Sequence, residues 1–540
     1  MKPCDRRDFI KAGAWTGAGL GVRLRPTRAE HLTILHTTDI HSQLEAHDEF
    51  FLEDGRPVFK KRGGFATLRT LIKAVRKQAR GPVLLVDGGD CLHGSAVASL
   101  SEGRAIVPLI NRLGYDLLLP GNWEVVYGKA AMMHDLGMST ARKVCANMFH
   151  EGGKRLLFPP YQIFNLGRTR VGFIGYNDPF TPTRQSPAYS RGIRFTPPEE
   201  SLAGYVKLLR EQRGCTLVCV LSHLGLAQQL DLANQPFARG VDYVLGGDTH
   251  ERIREPLPGR FARVTEPGAF ASFVGRLDLV IDNGRVKEED YQLLDVDPDR
   301  YAEDAEMRTM VAAAKAPYLA EISRVIGRTT KPLLRYYMLE TPLDNLITDA
   351  LMWRFQTDLV VSNGFRFCPP LVPGPDGIAE ITMEYLWSML PVDSEVKTAE
   401  VSGAQLRDWL ERELENVFAT DPAERFGGWL VRFKGMKVRF RINAPMGQRL
   451  EEVSVGGRPL EPARVYSVLA CEREGDPDSV LCRIRDVSNP RPLNVRLHDV
   501  MVGYLAERSP VSPDIEGRAV ALDAPPGFLS SVQGTAYRFR

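Results

Sequence analysis

The chain has 540 residues, with 69 Lys and Arg against 67 Asp and Glu, for a formal charge of +2; hydrophobic residues make up 44% and charged residues 25%. These proportions exclude a mainly disordered, collagen-like or low-complexity chain, and the near-zero charge argues against a dedicated binder of nucleic acid polymers. Length alone allows three to four domains of about 150 residues or two large ones, and no stretch approaches the ~20 apolar residues of a membrane span.

The near-neutral total hides a split. Residues 1–29 carry Lys2, Arg6, Arg7, Lys11, Arg23, Arg25 and Arg28 against Asp5 and Asp8, so the remainder holds 62 basic and 65 acidic residues. The run Arg6-Arg7-Asp8-Phe9-Ile10-Lys11 precedes a weakly apolar Gly/Ala-rich stretch, and Thr27-Arg28-Ala29 offers small residues where a signal peptidase reads. This resembles a twin-arginine signal peptide, which implies export of a folded, metal-loaded enzyme to the periplasm by that machinery; the alternative is a basic N-terminal arm. Of eight cysteines, Cys4 lies in the leader, and the remaining seven cannot all pair. None forms a Cys-x-x-Cys array, so no disulfide framework is expected, and Cys215 and Cys219 read as core residues.

From residue 31 to about 295, short apolar strands alternate with helical stretches. The predicted strands are Leu32–His36, Val83–Val86, Leu117–Leu119, Val171–Ile174, Leu217–Leu221 and Tyr243–Leu245, with helices over Phe65–Arg80 and Pro198–Arg213. That alternation predicts an α/β layered domain. Tyr301–Ile326 reads as one amphipathic helix broken at Pro317, connecting to a second region. There, helices over Leu343–Phe355, Met383–Met389 and Gly403–Phe418 mix with strands at Asp358–Ser362, Glu395–Val401, within Leu430–Ile442 and at Val465–Ala470. This is an α+β arrangement. The predicted boundaries are a leader at 1–29, a first domain at 30–300, a connecting helix at 301–327, a second domain at 328–510 and a tail at 511–540.

The chemistry gathers at strand ends. Successive predicted strands end in Asp39-Ile40-His41, Asp87-Gly88-Gly89-Asp90, Gly121-Asn122-Trp123-Glu124, Ser222-His223 and Gly246-Gly247-Asp248-Thr249-His250. Ligand sites in α/β sheets collect at the carboxyl edge of strands. Each motif alone is weak, but the ordered set supplies Asp39, His41, Asp90, Asn122, His223, Asp248 and His250. Seven ligating residues exceed the needs of one ion and suit two, ~3.5–4 Å apart and sharing a carboxylate.

This ordered set resembles the calcineurin-like metallophosphoesterases, and the stretch from about 31 to 500 resembles the 5'-nucleotidase family. The resemblance implies a four-layer β-sandwich domain flanked by helices, followed by the 5'-nucleotidase-type α+β domain. It implies that Asp39, His41, Asp90 and His250 hold one divalent metal and Asp90, Asn122, His223 and Asp248 the other, with a bridging hydroxide as nucleophile. Mn²⁺ is the favoured ion, with Zn²⁺ or iron as alternatives.

The departures from that family are specific. Where nucleotidases carry a proton-donating His and a supporting Asp, this chain has Trp123 and Val126. A nucleoside alkoxide benefits from a general acid by about 10²–10⁴-fold, whereas a thiol, with a pKa near ~8.5, leaves as the thiolate. The two base-stacking aromatic positions align with Val392 and Ala470. Several runs, among them Gly121–Gly128, Gly364-Phe365-Arg366, Ile381–Glu384, Gly427-Gly428 and Pro445–Arg449, are similar to the SoxB branch, thiosulfohydrolases of sulfur oxidation that also carry Trp at the acid position. Asn122 and Asp248 depart from SoxB, which has His at both, and Asp248 departs from the nucleotidases as well. Arg366 is the leading candidate to clamp an anion, with Asn363, Arg335 and Asp476 as further substrate contacts. Glu124 reads as a base behind the ligands or, by preference, a helix N-terminal acid; His93 lies close enough in sequence to reach the site but reads first as a surface residue. Three readings remain: a hydrolase releasing sulfate from a sulfur-linked anion or sulfur-carrier protein, a 5'-nucleotidase or cyclic phosphodiesterase, and an anion-binding protein on the same scaffold.

Overall fold

The computed structural model describes residues 29–362, 368–421, 424–425 and 430–524. Residues 1–28 of the leader, Asn363, Arg366, Gly427 and Gly428 lie outside the described residues.

The first region is built on two six-stranded sheets. In the first, Glu30–Thr37 pairs in parallel with Val83–Asp87, which continues to Leu117–Leu118 and Arg142–Lys143; its other edge meets the antiparallel hairpin Phe273–Asp282 and Arg285–Asp295. In the second, Thr169–Asn177, Leu217–His223, Tyr243–Leu245 and Arg263–Thr265 run parallel. Period-2 alternation assigns the two faces of this sheet. Val171, Phe173, Leu217, Cys219 and Leu221 join the core shared with the first sheet, while Ile174, Tyr176, Val218 and Val220 pack against the helices Leu202–Lys207 and Leu226–Asn234. Helix Phe65–Gln78 buries Phe65, Leu68, Leu71, Ile72 and Val75 in the shared core. The result is helix, sheet, sheet, helix, the four layers expected.

The second region has a five-stranded sheet in the order Arg432–Lys434, Leu359–Ser362, Val465–Cys471, Glu395–Ser402, Ser488–Arg496, and a four-stranded sheet. Helix Gly403–Phe418 opens with a reciprocal capping box between Ser402 and Gln405 and buries Leu406, Trp409, Leu410 and Leu414 on one stripe. The fold class is therefore α/β followed by α+β.

Three local expectations change. The connecting helix expected over 301–327 is helical over Ala305–Lys315, turns through Ala316–Tyr318 at Pro317, resumes at Leu319–Ile322 and ends; Val325–Thr329 is a strand paired with Ala379–Thr382. The helix expected over Pro198–Arg213 is a 3₁₀ turn, an α-turn pair and a π segment in series. Within the tail at 511–540, Ala519–Ala521 adds a parallel strand beside Met436–Phe440. The seven described cysteines are free thiols. No helix among the described residues is long and apolar enough to cross a membrane.

Candidate metal centre

Five strand-end loops bring all seven expected ligand residues into one buried cluster at the carboxyl edge of the sheets. His41 Nε2 lies 3.1 Å from His250 Nε2, and His250 Nε2 lies 3.4 Å from Asp39 Oδ1. His223 Nε2 lies 3.2 Å from Asp90 Oδ2 and 3.8 Å from Asp39 Oδ1, and Asn122 Nδ2 donates to Asp248 Oδ1 at 3.0 Å. Two triads have donor atoms close enough to share an ion: Asp39, His41 and His250, and Asp39, Asp90 and His223.

The backbone is shaped to aim these side chains. Asp39, His41, Asp90, Asp248 and His250 all have left-handed φ, between 44° and 85°. Each such residue costs on the order of 1 kcal/mol and persists only where its surroundings over-determine it. Those surroundings are visible. Thr38 Oγ1 and the Asp248 N–H both donate to Asp39 Oδ2, at 2.7 and 3.0 Å, which turns Oδ1 toward the histidines. The Trp123 N–H donates to Asp90 Oδ1 at 2.8 Å, leaving Oδ2 toward His223. His223 Nδ1 sits 2.8 Å from the Gly88 carbonyl, so Nδ1 carries the proton and Nε2 faces the cluster as a donor atom. A Cβ on Gly121 would overlap Asp90 Oδ1, so only glycine admits this approach.

The electrostatics call for a cation. Burial raises the Asp39 carboxyl, but His223, His250 and His41 outweigh it and hold it well below its ordinary value. Burial pushes Asp90 up to about 7, with Glu124 and Asp39 adding to the rise against the attraction of His223. His223 is driven well above the imidazole range by Asp90, Asp39 and Asp248 despite burial. Buried Asp39 Oδ1 and His223 Nε2 make no hydrogen bond of acceptable geometry. Three buried carboxylates and imidazole nitrogens converging in this way suit divalent metal.

Several neighbours were misread or missed. Glu124 is not a helix N-terminal acid: the next helix begins at Gly128, and the buried Glu124 carboxylate accepts from the backbone N–H of Asp90, Cys91, Leu92 and Gly121. It binds two ligand loops together. His93 is not on the surface; it is fully buried and stacked on Trp123, centroids 4.6 Å apart and planes 2° apart. Arg335 is buried on Asp344 and the Met389 carbonyl, which holds it in the second region's core rather than as an anion clamp. Asp476 pairs with Arg473 in a loop that touches the first region. Val392 lines a pocket with Trp123, Arg184, Tyr189, Cys471 and Arg473, whereas Ala470 lies in the core, so Cys471 takes the wall assigned to Ala470. Arg184, 3.3 Å from Asp248 and 3.2 Å from Asp178, had no motif to announce it.

Comparison with known proteins agrees with this architecture. The calcineurin-like phosphoesterase family model matches residues 32–252, and the model of the 5'-nucleotidase C-terminal domain matches residues 325–471. The snake venom 5'-nucleotidase of Gloydius brevicauda is 26% identical, over 95% of this chain and 92% of its own. Protein UshA of Yersinia enterocolitica is 21% identical, over 83% and 86%. Among solved structures, the sulfate thiohydrolase SoxB of Thermus thermophilus superposes with a TM-score of 0.82 at 24% identity, covering 92% of this chain and 97% of that one. A 5'-nucleotidase precursor of the same organism superposes with a TM-score of 0.79 at 24% identity, covering 92% and 100%.

Proposed function

We propose that this chain, which matches the calcineurin-like phosphoesterase and 5'-nucleotidase C-terminal domain models, is a hydrolase with a dinuclear metal site that cleaves a substrate whose leaving group departs as a stable anion. Sulfate release from an S-sulfonated thiol, on a small molecule or on a sulfur-carrier protein, is the preferred reaction, carried out in the periplasm after twin-arginine export. Asp39, His41, Asp90 and His250 would hold one metal and Asp90, Asn122, His223 and Asp248 the other, with Asp90 shared. Two such ions supply an acidified water and neutralise charge that develops on the reacting group.

The chain's own residues do the rest. Glu124 fixes the Asp90 and Gly121 loops, so the shared carboxylate is pre-set. The Gly88 carbonyl fixes the His223 tautomer. Trp123 carries the reading. By the family resemblance its indole corresponds to the acid His; it stacks on His93 and has no titratable proton to give. His93 does not replace the acid, because burial holds its imidazole down at about 3 and so neutral near pH 7. A poor alkoxide leaving group therefore lacks its proton, while a thiolate does not need one.

Nucleotide phosphate esters are the second reading. They are favoured by Asp476, which keeps the place of a ribose-binding Asp, and by the names of the curated relatives. The test is direct. Mn²⁺-loaded protein is offered AMP, a cyclic nucleotide and an S-sulfonated cysteine peptide, and released phosphate and sulfate are measured. Sulfate release faster than phosphate release supports the proposal; fast AMP turnover overturns it.

A further inference from the structure

The Asp248 carboxylate is held from both sides. Asn122 Nδ2 donates to Oδ1 at 3.0 Å, and Arg184 Nη1 stands 3.3 Å from Oδ2 while also lying 3.2 Å from Asp178 Oδ2. Asp178 is fully buried and the Arg184 side chain is 13% exposed, so the chain of charges lies largely out of water, where each pair interacts more strongly than at a surface. The next residue belongs to the same device, since Gln185 Nε2 donates to Asn122 Oδ1 at 3.3 Å. Residues 184 and 185 thus touch two neighbouring expected ligands. The second region buttresses them: Arg473 Nη2 donates to the Thr183 and Gln185 carbonyls, and the Ala188 N–H donates to the Glu474 carbonyl at 3.2 Å. Arg184 and Arg473 line one pocket with Trp123.

We propose that Arg184 is a positioning and charge-balancing residue of the second metal position. It fixes Asp248 Oδ2 and offsets its charge, so that an anionic ligand serves where a neutral one would suffice, and it favours anionic substrate at the pocket mouth at the expense of metal affinity. A guanidinium in contact with a ligand carboxylate weakens the attraction that a divalent ion feels and strengthens the one that an approaching oxyanion feels. The assignment rests on the dinuclear reading above.

The test titrates Mn²⁺ into metal-free protein, and inorganic phosphate and sulfate into Mn²⁺-loaded protein, by calorimetry. In Arg184→Met the weaker Mn²⁺ equivalent should bind roughly tenfold tighter and phosphate roughly tenfold weaker, a shift of about 1.4 kcal/mol each way. Arg184→Lys, which keeps the charge, should stay near wild type in both. Asp248→His alone should bind Mn²⁺ more weakly, and the double variant Arg184→Met/Asp248→His should return both affinities toward wild type. A merely structural role moves both affinities down together in Arg184→Met and gains nothing in the double variant; that pattern, or unchanged affinities, overturns the proposal. Asp90→Ala keeps the two questions apart. If it retains either Mn²⁺ equivalent in full the dinuclear reading fails, whereas if it loses both while Arg184→Met changes nothing, only the Arg184 assignment fails.

Discussion

Position 123 joins two functions in one residue: its backbone N–H orients Asp90, and its ring, stacked on His93, is proposed to stand where a nucleotidase would carry its acid. The backbone function survives substitution and the ring function does not. Trp123→His should therefore keep metal content and raise AMP hydrolysis by at least about tenfold, short of the 10²–10⁴-fold of a fully positioned acid. A phosphate-release assay checks it; no gain in AMP turnover with metals retained would contradict the role given to this ring. The expected ligand residues were legible in the sequence because each follows an apolar strand and all but His223 adjoin glycine or a second expected ligand two residues away. Glu124 and His93 were visible but misread, since burial is set by the partner loop and not by their own neighbours. Arg184 was not legible at all: it ends a one-turn helix, Thr181–Arg184, in a proline-rich stretch without periodicity, and only folding brings it to Asp248.

Strands and their terminal loops set the precision of the centre. Asp90 and Gly121 come from adjacent strand ends, and their loops approach so closely that a methyl group on residue 121 would overlap Asp90 Oδ1. Gly121→Ala should displace the shared carboxylate by a fraction of an ångström, cost about 10²-fold in turnover and weaken metal binding while leaving the fold intact. Elemental analysis and far-UV circular dichroism on the same sample check this; full metal content with normal turnover would contradict it. The long parallel strands were readable from apolar runs, as in Leu217–His223, whose alternate side chains serve two cores. The short strands Val325–Thr329 and Ala519–Ala521 were not, because partners far away in sequence define them. The helix at Ala305–Lys315 stops near Pro317, as its sequence allows, but the amphipathic pattern runs on past its end.

On the scale of the whole molecule, the two regions meet through specific polar contacts. The Tyr336 hydroxyl donates to Glu49, itself paired with buried Arg252, and Lys315 spans Glu45 and Glu384. The first region also buries neutral histidine. Burial holds His36 and His93 down at about 3, against about 6.5 when unfolded. Their neutral form favours the folded state, so this contribution is complete above pH 6.5 and is lost as pH falls toward 3. The slope approaches about 1.4 kcal/mol per pH unit for each histidine. Urea midpoints should decline between pH 6.5 and 4, and His93→Phe should make the decline shallower; an unchanged slope would contradict the buried neutral state.

The centre proposed above depends on one carboxylate serving two ions. Asp90 receives the Trp123 N–H on one oxygen and faces His223 with the other, at the junction of both expected ligand sets. The decisive measurement is metal content per chain by elemental analysis after Mn²⁺ loading and removal of excess. Wild-type protein should hold two equivalents and Asp90→Ala none above background. Full retention of either equivalent by folded Asp90→Ala would contradict the shared centre.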